Sequence, residues 1–558
     1  MYQHHRRKEE DMKAVRVKVA ACLVIILLAS ISVAACSGDH LSSLSSGNAG
    51  NLFSGKSGGT LTIALQTDIV SLDPAFAYDY STMPVVCQIT EGLLRFDEQS
   101  RLAPNLAEKW EMKDPLTYEY TIRKDVHFHD GTPMTSDDVV FSLRRIRDQQ
   151  TGSYLSWMYR NVESIKKTAE WTVQVKLKQP DALWRYVPAT TAGHIVSKAS
   201  VSKHQSSFGS AEAGLVGTGP FRFEKWDTGS QVVLKRNADY WNKEGGPYLD
   251  EVIFRVVPDK QTHITGLKSG MVTASFSLPV DVIPEVERLD NVQIQQTEGY
   301  VSDFIAFNTK RKPFDEIQVR KAFSYAFDHD RYLKEIVKNY GLPAKSVPIH
   351  SKMWTYEKHS WDSYYKNLPR YVNDFERAKE YLAHSSVPDG FSAKILTDNT
   401  PINLNAALAL RTAVKPLGIE LKIEMVTRKE LTARSLGGTR DYDLIVYQWG
   451  SDMPDPLGNL LPLFHSDYLG SGGANYANYQ NPNVDWLITE AATQMDEKKR
   501  AKHMIYALTI IALDSPWIVL DHPKQILVMN KALTGYSLSP LWYWDSFTKN
   551  IKYMHAPL

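Results

Sequence analysis

Trp449, Gly450 and Asp452 stand at the end of a short apolar run, and their types together suggest one chemistry. Leu444-Ile445-Val446 is apolar and contains β-branched residues, which predicts a buried strand. The chain then opens through Tyr447, Gln448 and Trp449 to Gly450, Ser451 and Asp452, and stops at Pro454 and Pro456. Such an ending exposes a flat apolar face, an approachable backbone and a carboxylate. An extended ligand carrying an amine would find there strand-type main-chain hydrogen bonds, a stacking surface and a charge partner. The plainer alternative is a strand, a turn and a solvated Asp before Pro-Asp-Pro.

Other chemistry-bearing groups lead nowhere as definite. His127 and His129 are two apart on a predicted strand and share a face. Only Asp130 follows them at close range, so a structural or surface role is expected and no metal site is assigned. Gly217-Thr218-Gly219-Pro220-Phe221 lacks the endings of nucleotide loops and reads as a tight turn before a strand, so no cofactor is expected. Arg144, Arg145 and Arg147 close a helix predicted from Asp137 to Arg147, with Thr135 and Asp138 as a capping box, and read as helix-end charges. There is no G-x-S-x-G, no H-E-x-x-H and no isolated carboxylate pair, so no catalytic residue is assigned.

Bulk properties narrow the field. A chain of 558 residues exceeds one core and predicts two or three domains. Its 64 basic and 63 acidic residues leave a net charge of +1, which argues against nucleic acid as a partner. A mean hydropathy of −0.32 excludes a multi-span membrane protein. At the amino terminus, Lys13, Arg16 and Lys18 follow Met12, a second candidate start, and precede the apolar run Val19 to Ala35. Ile31-Ser32-Val33-Ala34-Ala35-Cys36 resembles the lipobox of bacterial lipoproteins. That resemblance implies a signal peptide ending at Cys36 (residues 1–36), cleavage before Cys36 and its acylation, which would anchor the chain to a membrane face. An uncleaved amino-terminal helix is the alternative. Residues 37–59 are rich in Ser and Gly and read as a tether. Once Cys22 and Cys36 are accounted for, Cys87 remains alone, a predicted buried filler that leaves no internal disulfide.

The elements that must hold these groups alternate between strand and helix. Strands are predicted at Thr60 to Leu65, Tyr118 to Arg123, Trp171 to Leu177, Val232 to Arg236, Val252 to Val257, Phe304 to Asn308 and Ile419 to Val426. Trp517 to Leu520 and Gln525 to Val528 read as two short strands, and Thr489 to Leu513 as one helix. Helices are also predicted over Thr262 to Ser269, within Pro313 to Lys338 and over Leu404 to Leu417. The alternation indicates α/β lobes.

Four blocks in order resemble the extracellular solute-binding proteins, family 5, of ABC importers. They are Ala107 to Trp110 with Phe128 to Gly131 and Asp138 to Leu143; Gly217 to Phe221 with Arg236-Asn237 and Tyr240-Trp241; Asn308-Thr309 with Pro313 to Asp315, Val319 to Ala322 and Ala326 to Asp328; and Trp449 to Asp452 with Asp455-Pro456. The resemblance implies a type II periplasmic-binding-protein fold: two hinged lobes with an extra domain inserted in the first. By analogy, lobe I is 60–96, 215–300 and 524–558, the insert is 97–214, and lobe II is 301–523, with hinge crossings near Phe304 to Asn308 and Lys524 to Leu527. It also implies that Gln448 to Gly450 offer backbone to a peptide, that Trp449 packs on a side chain and that Asp452 takes the α-amino group. Tyr78 and Tyr80 match a segment touching the ligand from the other lobe, and Asn475 and Tyr476 a loop bordering the cleft. No cation for a ligand carboxylate falls in a motif, although Arg411, Arg428 and Arg434 lie in the expected lobe.

The expected function is therefore capture of peptides by a lipid-anchored, monomeric protein on the outer face of the cytoplasmic membrane, extracellular or periplasmic, followed by delivery to an ABC permease. Two alternatives keep the fold and change the ligand to an oligosaccharide or a nickel chelate. A secreted hydrolase is the reading from a different class.

Overall fold

Alternation and burial together decide the architecture. The computed structural model describes residues 57–555, except His350, Gly438, Thr439, Ser471 and Gly472. The expected leader, the lipidation site Cys36 and most of the tether lie outside the described residues. Val301–Phe307 is buried at every position. Its Phe304 and Ala306 enter one core, and its Ile305 and Phe307 enter another. A strand hidden on both faces needs a layer on each side. Helices Ile317–Ala326 and Pro401–Val414 supply one layer, packing Val319, Ala322, Phe323, Ala406, Ala407 and Leu410 beneath it.

The main sheet has two halves. In one, Ala274–Ser275, Thr60–Leu65, Glu251–Val256, Gln231–Arg236 and Phe221–Asp227 follow one another outward. In the other the order is Val301–Phe307, Leu444–Gly450, Ser392–Asp398 and Glu420–Val426. One strand, Trp517–Asn530, belongs to both. Its first part runs antiparallel to Val301–Phe307, with Asp521 opposite Asp303. Its second part pairs with Val292–Glu298, from Lys524 opposite Glu298 to Asn530 opposite Val292. The two short strands expected here are thus one. Pro523 does not break it: the partner along one edge changes there, and along the other edge Pro523 faces Gly341, the next ladder bond running from Lys524 N–H to the Tyr340 carbonyl at 2.9 Å. The change of partner lies at Asp521–Lys524 and Gly299–Tyr300; the expected crossing at Phe304 to Asn308 falls instead within the second half's own strand and the residue after it.

A separate four-stranded antiparallel sheet, in the order Ala107–Asp114, Thr117–Ile122, Thr172–Leu177 and Val162–Ala169, packs against helix Ser136–Arg147. The Thr135 N–H donates to Asp138 Oδ2 at 3.0 Å, closing the helix start as predicted. The three arginines at its end do more than complement the dipole. Arg145 donates through both terminal nitrogens to buried Asp73 at 2.8 and 2.5 Å, while Arg144 and Arg147 donate to the Ile165 and Glu163 carbonyls. His129 is structural: its Nδ1 accepts from Gly217 N–H at 3.3 Å and its Nε2 lies 3.0 Å from the Gly219 carbonyl. Both glycines are needed, since a Cβ on either would sit within 2.5 Å of the Ile89 or Gln88 carbonyl oxygen. The long helix expected over Thr489 to Leu513 is two, Pro482–Thr493 and Glu497–Asp514, the second capped by Asp496. Cys87 is buried, as expected of a filler.

Candidate functional site

The apolar run Leu444-Ile445-Val446 is fully buried and fixes the strand that carries the site. Along one edge, Leu444–Gly450 pairs antiparallel with Val301–Phe307 over its whole length, Gly450 facing Val301. Along the other it pairs with Ser392–Asp398 only at Leu444 and Ile445. Among the described residues, Val446–Gly450 therefore has no strand partner on that edge. Gly450 is where Tyr80 approaches: a Cβ there would lie 2.4 Å from the Tyr80 hydroxyl.

Beyond Gly450 the two aspartates part. Asp455 is locked. Its Oδ1 accepts from Leu457 N–H at 2.9 Å, at the start of helix Leu457–Phe464, and from Arg500 Nη2 at 2.6 Å, while Tyr356 donates to Oδ2 at 3.0 Å. Asp455 and Arg500 are both buried. Burial pushes the carboxyl up, with the Leu457 N–H and Arg185 pulling it back, and burial pushes the guanidinium down. The Asp452 backbone is held from the carboxyl-terminal segment: Trp544 Nε1 donates to its carbonyl at 3.1 Å, and the Tyr543 hydroxyl donates to the preceding Ser451 carbonyl at 3.1 Å. Its carboxylate meets Tyr78, and no cation among the described residues pairs with it. Burial pushes this carboxyl up to about 7, with the Tyr78 hydrogen bond pulling the other way.

Tyr78 and Tyr80 come from the other half of the sheet's connections. Asp79, between them, accepts from Ser81 and Thr82 N–H at 2.9 Å each, which fixes the turn before helix Thr82–Ile89. Tyr78 and Tyr80 remain 39% and 42% exposed. Tyr80 meets Tyr543 edge-on at 5.0 Å. Trp449 is half-buried, stands 6.4 Å from Tyr476, and its indole N–H has no acceptor among the described residues. Gln448 donates to Asp303 at 2.8 Å. Tyr476 is buried behind these residues, 4.7 Å from Tyr447. Asn475 is fully buried and its amide is spent on its own loop, donating to the Tyr479 carbonyl and accepting from Tyr479 N–H at 2.8 and 2.9 Å. The structure thus brings Asp452, Gly450, Tyr78 and Tyr80 together, keeps Trp449 and Gln448 beside them, sets Tyr476 behind them, and uses Asn475 as support. The arrangement offers a cation-seeking carboxylate, an open strand edge and aromatic walls. Among the described residues no cluster of three or more His, Cys, Asp or Glu is placed to hold a metal ion.

The model for bacterial extracellular solute-binding proteins, family 5 Middle, matches residues 101–471. The chain belongs to this family. Its members are solute-binding proteins and not enzymes. Among family 5 relatives, the oligopeptide-binding protein AppA of Bacillus subtilis is 26% identical over 540 residues, covering 93% of this chain and 96% of AppA. The glutathione-binding protein GsiB of Escherichia coli K12 is 26% identical over 485 residues, 86% of this chain and 92% of GsiB. The periplasmic binding protein DppA of Helicobacter pylori, solved with the peptide STSA, superposes with a TM-score of 0.78 at 24% identity, covering 89% of this chain and 99% of DppA. The fold is the type II periplasmic-binding-protein fold.

Family 5 motifs pointed to Asp452, its strand neighbours and the Tyr78–Tyr80 segment, but not to the residues that brace them. Tyr447, Tyr543 and Trp544 line or brace the site without belonging to any motif, and Trp544 reaches Asp452 from 92 residues away. Their one signal was composition, an excess of Trp and Tyr in a chain with a wet pocket to line. Among the described residues no helix is long and apolar enough to cross a membrane.

Proposed function

We propose that this chain is the peptide-capturing component of an ABC importer. An extended peptide adds to the open edge of Val446–Gly450, its α-ammonium pairs with Asp452, and Tyr78, Tyr80 and Trp449 enclose its first residues. The observation carrying this reading is the Asp452 carboxylate: pushed up to about 7, bonded to Tyr78, without a paired cation among the described residues, and set just past the tip of an unpaired strand edge. An ammonium placed there would relieve the desolvation that raises it. Backbone pairing does not read side chains, which suits a carrier of varied peptides. The names of the relatives AppA and GsiB, an oligopeptide binder and a glutathione binder, agree with such cargo.

The working cycle in this proposal is a lobe closure. The lobes are 60–96 with 215–300 and 524–558, and 301–523, with 97–214 as the insert. The hinge is the partner change at Gly299–Tyr300 and Asp521–Lys524. Ligand contacts to Tyr78 on one side and Asp452 on the other favour the closed form, which docks on a permease. Acylation of Cys36 holds the monomer on the outer face of the cytoplasmic membrane. The test is calorimetry of Asp452→Asn against peptides with free and acetylated amino termini. The variant is expected to lose about 10- to 100-fold in affinity for the free-amine peptides, roughly 1.4–3 kcal/mol, and nothing for the acetylated ones. Equal affinity of wild type and variant for free-amine peptides would remove Asp452 from this role.

A further inference from the structure

Asp303 and Asp521 face each other on neighbouring strands, at the last rung before Trp517–Asn530 changes partner. Gln448 stands opposite Asp303 on its other side, so the three side chains form one row across the sheet. The Gln448 amide donates to Asp303 Oδ1 at 2.8 Å. Both carboxylates are buried, Asp521 completely, and neither oxygen of Asp521 has a hydrogen-bond partner among the described residues. Two carboxylates directly opposite repel when both are charged.

The elements packed around the pair bring little countercharge. Tyr332, on the helical segment Tyr332–Ile336, ends in a buried hydroxyl that also lacks a partner among the described residues. Burial raises that phenol, and Asp521 and Asp303 raise it further. From Gly341–Pro343 the backbone closes over the rung, for a Cβ on Gly341 would lie 2.0 Å from Asp521 Oδ2. His522, next along the strand, has its Nδ1 2.9 Å from the Ser302 hydroxyl and 3.3 Å from the Val301 carbonyl. His329 places its Nε2 3.1 Å from the Val519 carbonyl. The Tyr80 phenol, raised first by burial and by Asp452, also feels Asp303. Arg428 is the cation that acts on Asp303, but it is half-exposed and bonded to Asp398 at 3.0 Å.

A carboxylate so enclosed becomes neutral by holding a proton. A cation or a water would need a cavity of its own, and no water-sized space borders Asp521. Burial raises both carboxyls, and the charge of Asp303 raises Asp521 further, while the Gln448 bond and Arg428 pull Asp303 back.

We infer that Asp303 and Asp521 hold a proton between them in this arrangement and make the hinge a proton-linked switch: opening separates the rung, water reaches both carboxylates, and the proton passes to it. The closed form then binds more protons than the open one, so acid favours closure and alkali favours opening. This rests on the lobe closure proposed above and adds its regulation. Asp452 acts in the opposite sense, because acid removes the charge that a ligand ammonium needs.

The test is small-angle scattering of the full chain without peptide from pH 5 to 8, in an Asp452→Asn background that silences that second carboxylate. This protein is expected to open as pH rises, its closed-to-open ratio falling about tenfold or more across the range. Adding Asp303→Asn and Asp521→Asn together should give a radius of gyration that does not change with pH. Adding Asp521→Asn alone leaves one carboxylate facing an amide donor and should move the transition to lower pH. Each radius is compared with that of the same protein at another pH, so a variant's own difference in shape cancels. A radius that stays flat in the Asp452→Asn background overturns the inference, as does a triple variant that still opens with pH. Failure of the closure reading looks different: saturating peptide then leaves the wild-type radius unchanged as well, and both fall together.

Discussion

A half-buried carboxylate with no cation paired to it among the described residues resists ionisation, and Asp452 is such a group, pushed up to about 7 mainly by burial. Two consequences follow with opposite signs. In the empty protein the folded state holds the Asp452 proton more tightly than the unfolded chain does. Its charge therefore destabilises the fold above pH 7, and that penalty fades as pH falls toward the ordinary carboxylate range. Asp452→Asn should raise the melting temperature at pH 8, by the equivalent of about 1–3 kcal/mol, and leave it unchanged near pH 4. For binding, an ammonium needs the carboxylate charged. Affinity for free-amine peptides should weaken by up to tenfold per pH unit below about 7, with proton release on binding, and weaken again above about 8 as the peptide amine deprotonates. Titration calorimetry in buffers of differing ionisation enthalpy reads the released proton. Affinity that is flat from pH 5 to 8 would show that no titrating carboxylate meets the ligand.

At the scale of elements, the strand at Leu444–Gly450 was legible because three consecutive apolar residues, two of them β-branched, can only be buried. What was not legible is which aspartate after it works and which braces. Asp452 and Asp455 lie three residues apart around Met453-Pro454, and it is Tyr356 and Arg500, 99 residues back and 45 residues on, that make the second structural. The same limit applies to Pro523: a proline reads as a strand break unless the change of partner around it is known. The helix pair Pro482–Thr493 and Glu497–Asp514 reads as one helix because the apolar spacing continues across the join, where only Asp496 signals a new start. The Asp455–Arg500 bridge fixes the start of Leu457–Phe464 and hence the direction in which Asp452 is presented. Arg500→Met leaves a buried, uncompensated charge and should cost about 3–5 kcal/mol in denaturant unfolding. Asp455→Asn with Arg500→Met together should recover most of that loss. A double variant no more stable than Arg500→Met would mean that the bridge is not what the turn depends on.

At the scale of the whole molecule, the two ends of the proposed cycle need different tests. A lipidated Cys36 predicts that the full chain fractionates with membranes and that Cys36→Ser releases it into the soluble fraction; release of neither form, or of both, would refute the anchor. Closure is a matter of what bridges the gap without ligand. The segment around the four-stranded sheet touches the far side at Ala182 N–H to the Ala492 carbonyl at 2.9 Å, at Arg185 to Glu497 at 3.1 Å, and at Arg160 to the Tyr468 hydroxyl. The Arg185–Glu497 pair is partly exposed and worth about 0–1 kcal/mol, while Ala182 is buried. Together with the bonds of Tyr543 and Trp544 to the Ser451 and Asp452 carbonyls at 3.1 Å, these rim contacts bias the open–closed equilibrium, to which the ligand adds its own contacts. Arg160→Ala with Arg185→Ala should therefore shift the empty protein toward the open form, enlarge its radius of gyration in small-angle scattering, and weaken peptide binding about two- to tenfold. Saturating peptide should return variant and wild type to the same compact scattering curve, because the contacts through Tyr78 and Asp452 are untouched. Identical curves for both proteins with and without peptide would mean that the halves do not move, and that capture relies on the open strand edge alone.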